Sequence, residues 1–382
     1  MHDAARHIQG LRLSLGQDKA PLGLLLAAGC GMSVQAGDAP LIPGITGMTE
    51  ILTSQLCAEE SEQRAAMIKL LACLKADEVA NPTIEDWLTQ VRALKLVAKG
   101  GPVRELSMVE LDALETGITG GIVDLVERDL PPSATPFHAV ASWARAMERQ
   151  YPVEIFTTNY DLLLEQAFEA IQGPFFDGFV GVRRPFFDNA SVSASSDTPI
   201  PARFTRIWKL HGSVNWYMTA DGQVTRSEQA DGRRRLIHPS HLKYDESRQM
   251  PYLALQDRLR AFVGQRGALL VTCGYSFGDR HINSVLTEAL QANPTASLIA
   301  MLFGPLQDYP AACKLAASHA NLALYGRDWA VVGTREGPWV ADEKTATGLK
   351  ENDADGVDVL LGDFASFGVV LAEMLDRSLP QQ

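Results

Sequence analysis

A chain of 382 residues with 46% apolar and 21% charged side chains has the composition of an ordinary globular enzyme, with length for one large domain or two smaller ones. Its formal charge of −12 argues against nonspecific binding of nucleic acid or an anionic membrane by the general surface. The apolar run from Leu22 to Ala28 is far short of the ~20 residues that cross a bilayer, and the first sixteen residues lack a signal peptide's apolar core, so a cytoplasmic protein is expected. The five cysteines (Cys30, Cys57, Cys73, Cys273, Cys313) contain no CxxC pair, which argues against a disulfide framework and a four-thiolate zinc site.

In chain order, residues 4–15 read as a short amphipathic helix. Pro21 and Gly23 then introduce an apolar run ending at Ala28, too short for a helix and bounded by glycine, hence a buried strand. Asp38 to Gly47, rich in Pro and Gly, reads as loop. From Met48 to about Leu130 the apolar spacing is helical, and Thr83-Ile84-Glu85-Asp86 resembles a capping box opening a helix with Trp87, Leu88, Val91, Leu94 and Val97. This block interrupts an otherwise alternating chain, so residues 48–130 are expected to be a helical insertion within a single domain of 1–382.

The alternation resumes with a helix at Phe137–Met147, a strand at Pro152–Phe156, a helix at Leu162–Ile171 and a strand at Arg206–Leu210. Residues 188–202 read as loop and 219–235, with two Asp-Gly turns, as a hairpin. Arg233-Arg234-Arg235 is expected at a solvated loop tip, with recruitment of a partner as the alternative. Ala268–Cys273 is a strand, followed by a helix with Ile282, Val285, Leu286, Ala289 and Leu290 on one face. Ser297–Phe303 and Leu322–Tyr325 complete the strands; 341–357 read as exposed and Phe364–Leu375 as a closing helix. Alternating β and α units predict an α/β fold with a doubly wound, mainly parallel, Rossmann-like sheet.

Four segments, each after an apolar strand-like run, carry candidate chemistry: Gly29-Cys30-Gly31-Met32-Ser33, Thr157-Thr158-Asn159-Tyr160-Asp161, Lys209-Leu210-His211-Gly212-Ser213 and Gly274-Tyr275-Ser276-Phe277-Gly278-Asp279. Gly29 and Gly31 allow close backbone approach to an anion, with Ser33 as a donor, or they simply make a tight turn. Asn159 or Asp161 can cap the following helix, as can Gly278 or Asp279. An imidazole such as His211, with an ordinary pKa of about 6.5, accepts a proton near neutral pH. His281 stands out among the other histidines because it follows Asp279 on the first turn of a helix, whereas His138, His238 and His241 sit in no comparable motif. No strand ending in an acid follows about 20 residues after the glycine loop, which weakens a dinucleotide Rossmann reading, since Glu50 opens a helix.

Taken together, the four segments resemble the sirtuin superfamily, and specifically the sirtuin-like NAD glycohydrolases of bacterial anti-phage defence. The first is similar to the sirtuin GAGxS loop, with likeness continuing to Ala36-Gly37 and Pro40, although the spacing before the proline is longer by one residue. The second resembles TQNID, with Tyr160 in place of isoleucine; the third the HG dipeptide; the fourth the GTS loop in its GYSFxD form. The likeness runs from about Leu22 to about Phe367 and includes Leu361-Gly362-Asp363-Phe364.

That resemblance implies catalytic roles for Asn159, at the ribose beside the scissile bond, and for His211 as general base. It implies NAD contacts from Gly29, Gly31, Ser33, Thr158, Asp161, Gly274 and Ser276, with Asp161 gripping the nicotinamide carboxamide. The expected reaction is cleavage of NAD to nicotinamide and ADP-ribose without a metal. A sirtuin deacylase or ADP-ribosyltransferase, disfavoured by the missing zinc-module cysteines, and a noncatalytic NAD-binding scaffold are the alternatives. A chain of this length is most like the short type that partners a HerA-like hexameric ATPase, so such a partner and a high-order homo-oligomer are expected.

Overall fold

The computed structural model describes residues 1–146, 149–193, 200–201, 203–219, 221–227, 234–237, 251–341, 347–352 and 356–378. Six parallel strands form its centre: β1 (Leu22–Leu26), β2 (Glu154–Thr157), β3 (Thr205–Lys209), β4 (Leu269–Cys273), β5 (Ser297–Met301) and β6 (Leu322–Tyr325). They stand side by side in the order β6-β5-β4-β1-β2-β3 within a ten-stranded sheet. The chain leaves β1 towards β2 and β3 and returns on the other side of β1 as β4. The order therefore reverses beside β1, the place where open α/β sheets form a crevice at the carboxyl ends of their strands.

Alternate residues of each strand feed opposite cores, as the two-residue period requires. Leu24, Leu26, Ile155, Ile207 and Val271 pack on one face, while Leu25, Phe156, Trp208 and Leu270 pack on the other. Burial on both faces explains why these strands are continuous apolar runs. The first face carries α1 (Ala4–Leu15), α6 (Pro136–Ala146) and α10 (Phe364–Ser378), together with a helical block of α2 (Ile45–Leu56), α3 (Arg64–Ala76), α4 (Ile84–Val97) and α5 (Met108–Val126). The second carries α8 (Tyr252–Val263) and α9 (Arg280–Ala292). Between β2 and β3 lies α7 (Leu163–Ala170), whose Leu163, Leu164, Ala167 and Phe168 join the first core.

Local signals set several of these helices. Thr83 and Asp86 form the capping box of α4, the Thr83 backbone N–H donating to the Asp86 carboxylate at 2.8 Å. The apolar face of α9 is buried throughout. Across the helical block, Glu115 of α5 accepts from Arg92 at 2.9 Å and from Lys95 at 2.6 Å, so α4 and α5 are joined by charge as well as by packing.

The structure departs from the sequence reading where pairing is nonlocal. Residues 38–47 are not all loop: Ala39–Pro40 pairs with Gln35–Ala36, and α2 begins at Ile45 with Gly44 as its N-cap. Residues 188–202 contain one helical turn, Asn189–Val192, capped by Asp188; residues 194–199 and 202 lie outside the described residues.

In 219–235, Val224–Arg226 and Arg234–Ile237 both pair with the strand Gly212–Met218, so the expected hairpin uses that strand instead of pairing the two with each other. Arg234 and Arg235 therefore lie in a strand and not at a loop tip; Arg233, His238 and His241 lie outside the described residues. The central strands are not the whole set either. Trp329–Val332 and Arg335–Val340 extend the sheet antiparallel beyond β6, and His2–Asp3 closes that edge in parallel. Within 341–357, Leu349–Glu351 pairs with Val357–Val359, and Val357 is buried. Residues 342–346 and 353–355 lie outside the described residues.

Candidate active site

The four motif segments leave the same edge of the sheet. Cys273, Leu26, Thr157 and Lys209 form one register row across β4, β1, β2 and β3, and the segments begin at or just beyond it. Backbone bonds then stitch the loops together. Leu210 N–H donates to Thr157 at 2.8 Å, Val214 N–H to Tyr160 at 3.0 Å, and Thr158 N–H to Leu26 at 3.4 Å. On the other side, Gly29 N–H donates to the Gly274 carbonyl at 3.2 Å.

The glycine loop is one turn of helix, Ala28–Gly31. A Cβ on Gly29 would stand 2.7 Å from the Cα of Gly274, and Gly274, at φ +69°, would carry a Cβ 2.7 Å from the Cys30 nitrogen. Gly29 and Gly274 therefore allow the two loops to pack backbone against backbone, a duty beyond the anion approach or tight turn expected of Gly29. Ser33 donates its hydroxyl to the Cys30 carbonyl at 2.8 Å, closing the turn. Gly31, Thr158, Asn159, Asp161, His211, Gly274 and Ser276 line one cleft, whereas Gly29 and Ser33 are not part of its wall.

Asp161 is buried, and burial raises its carboxyl pKa above the ordinary aspartate value, with Lys209 opposing the shift. Its Oδ1 accepts the N–H of Leu163, the first residue of α7, at 3.0 Å, while the N-cap position itself falls to Leu162. Beneath it the buried Lys209 ammonium donates to the Asp161 carbonyl and to Glu165 at 3.0 Å. Tyr160 is also pushed well above the ordinary phenol pKa by burial, and its ring lies 6.4 Å from that of His211. His211 is only 9% exposed, followed by Gly212 at φ +88°, a conformation a β-carbon disfavours. Its Nε2 stands 3.0 Å from Oδ2 of Asp279. That contact escaped sequence reasoning, which saw Asp279 only as a helix cap; the sole signal was its place in the fourth segment.

The cleft has a volume of about 870 Å³, within the range of sites for cofactor-sized molecules. One wall is the motif edge of the sheet. The facing wall is apolar and comes from the helical block and the loop before it, with Pro43, Met48, Ile84, Ile122 and Val126. Glu85 and His281 also reach it; Ile84 and Glu85 were legible only as part of the capping box, and Pro43, Met48, Ile122 and Val126 carried no functional motif. Among the described residues the side chains of Thr158, Asn159 and Ser276 make no hydrogen bond, although all three line the cleft. Three polar side chains without internal hydrogen bonds beside an apolar wall suit a ligand with sugar hydroxyls, charged phosphates and flat rings, as NAD has. Among the described residues no three His, Cys, Asp or Glu side chains gather as metal ligands, and no helix is long and apolar enough to cross a membrane.

Residues 153–323 match a protein-family model described as the SIR2-like domain. That segment holds Asn159, Asp161, His211, Gly274, Ser276 and Asp279, while the glycine loop lies before it. Over this stretch the chain is sirtuin-like, and NAD-dependent chemistry is the activity class such a domain implies. Among solved structures, a chain from "Structural Basis for the Mechanism and Regulation of Sir2 Enzymes" is similar at a TM-score of 0.37 and 12% identity, covering 79% of this chain and 88% of that one. No curated protein matches.

Proposed function

We propose that the protein is an NAD glycohydrolase, releasing nicotinamide and leaving ADP-ribose, and that it serves as an NAD-depleting effector of anti-phage defence. The observation that carries the chemical part is one cleft holding both an asparagine whose side chain makes no internal hydrogen bond and a buried histidine braced by a carboxylate. The bond from ribose to the nicotinamide nitrogen breaks with little help, because the leaving nitrogen already bears a positive charge and needs no general acid. The site must hold the ribose, exclude bulk water and place one proton acceptor. Asn159 supplies the hold, Asp161 a buried partner for the carboxamide, and His211 the acceptor for a proton from water or a ribose hydroxyl. The defence role and the expected HerA-like ATPase partner rest on the motif resemblance.

The test is NAD consumption, followed by release of nicotinamide and ADP-ribose, with no acylated substrate present. Asn159→Ala and His211→Ala are each expected to lower turnover at least ~10²-fold, the scale of one positioned acid–base group, with unchanged circular dichroism. Turnover that appears only with an acetyl-lysine peptide would support a deacylase instead.

A further inference from the structure

Asp279 has two oxygens and two separate duties. Its Oδ1 accepts the backbone N–H groups of His281 at 2.9 Å and Ile282 at 3.2 Å, capping α9. Its Oδ2 lies 3.0 Å from Nε2 of His211, with the two side chains 10% and 11% exposed. The cap fixes the plane of the carboxylate, so the second oxygen has little freedom to leave the imidazole.

The segment presenting Asp279 is itself clamped. Asn283, one turn along α9, donates its side-chain amide to the Phe277 carbonyl at 2.7 Å and accepts the Tyr275 hydroxyl at 2.7 Å. The Tyr275 and Phe277 rings pack in the core with centroids 4.8 Å apart and planes tilted at 46°. Phe277 sits at φ +60°, a left-handed conformation that a bulky side chain holds only when its surroundings impose it. A loop strained and clamped in this way behaves as a rigid mount.

We infer that Asp279 is the positioning residue of the histidine: it accepts the Nε2 proton of His211, fixes ring orientation and tautomer, and leaves Nδ1 as the proton-accepting nitrogen. When Nδ1 takes a proton from a water or ribose hydroxyl, the resulting imidazolium lies beside the carboxylate, which stabilises it. The logic is that of an acid–base histidine held by a buried carboxylate, and it rests on the glycohydrolase reading only for the identity of the substrate.

Asp279→Asn provides the test, because the helix amides dictate how the new side chain sits. Its carbonyl oxygen must stay on the two backbone N–H groups, and asparagine is a good N-cap. The amide N–H then faces Nε2 and demands a lone pair there, so the tautomer inverts and the proton moves to Nδ1. Nitrogen-15 spectra of histidine-labelled protein, assigned with His211→Ala, are expected to show Nε2–H in the parent and Nδ1–H in Asp279→Asn. In NAD cleavage the same variant is expected to lose at least ~10²-fold in kcat with KM changed by less than about threefold.

Asp279→Ser keeps a cap and removes the carboxylate, and is expected to lose kcat comparably while folding normally. An unaltered tautomer in Asp279→Asn, or a kcat within about threefold of the parent in both variants, overturns the inference. If the parent protein fails to cleave NAD, the functional reading falls, and the spectra alone then uphold or overturn the role of Asp279.

Discussion

At the scale of single residues, Asp161 sets stability against function. Burial raises its carboxyl pKa, so the folded state holds the proton more tightly than the unfolded chain does. Stability is therefore fully present below the unfolded value of about 4 and falls as pH rises towards the raised folded value. Asp161→Asn keeps an oxygen for the Leu163 N–H and removes the ionisation. It is expected to raise the thermal midpoint at pH 7, and this gain should shrink as pH is lowered towards 4. Turnover should meanwhile fall at least about tenfold, because an amide offers the substrate a changed pattern of donors and acceptors. A midpoint that drops at pH 7 would mean that the ionised carboxylate is a net stabiliser through Lys209.

At the scale of elements, the crossing of the glycine loop with the end of β4 decides whether the cleft exists. Gly274→Ala combines a left-handed backbone with a Cβ 2.7 Å from the Cys30 nitrogen, and backbone cannot yield as a side-chain tip would. The expected cost is about 1–3 kcal/mol in urea unfolding, with a rise in KM because Gly274 lines the cleft. Gly31→Ala is the control, since its Cβ would meet Ile42 at 3.5 Å, an ordinary contact. Equal losses for the two would show that the crossing is looser than its geometry.

At the scale of the whole molecule, the helical block has two exposures. Its inner side supplies Met48, Ile84, Ile122 and Val126 to the cleft, so displacing the block would change the wall of the active site. Ile68, Leu96, Val97 and Val109 of the block, at 52%, 69%, 64% and 78% exposure, do not line the cleft and are the apolar side chains it offers to another chain. We therefore expect a high-order homo-oligomer built on this block, with NAD hydrolysis strongly altered by a HerA-like ATPase partner. Light scattering of the purified chain and turnover with and without that ATPase provide the check. A monomer with full, partner-independent activity would remove this regulation and leave the catalytic reading standing.

What was legible in the sequence is whatever is encoded within one segment. The apolar runs of β1 and β4 read as strands because both faces are buried, and Ile282, Val285, Leu286, Ala289 and Leu290 read as one helical face because their spacing is local. The four motif segments were legible for the same reason, each being a few consecutive residues after a strand. The edge strands Trp329–Val332 and Arg335–Val340 were not, since their existence depends on a place beside β6. Neither was the second strand at Arg234, which depends on Gly212–Met218. Only the tertiary structure brings Gly29 against Gly274, His211 against Asp279 and the helical block over the sheet edge. Those contacts join residues far apart in the chain, and their formation depends on the order in which parallel strands pair, which side-chain periodicity does not encode.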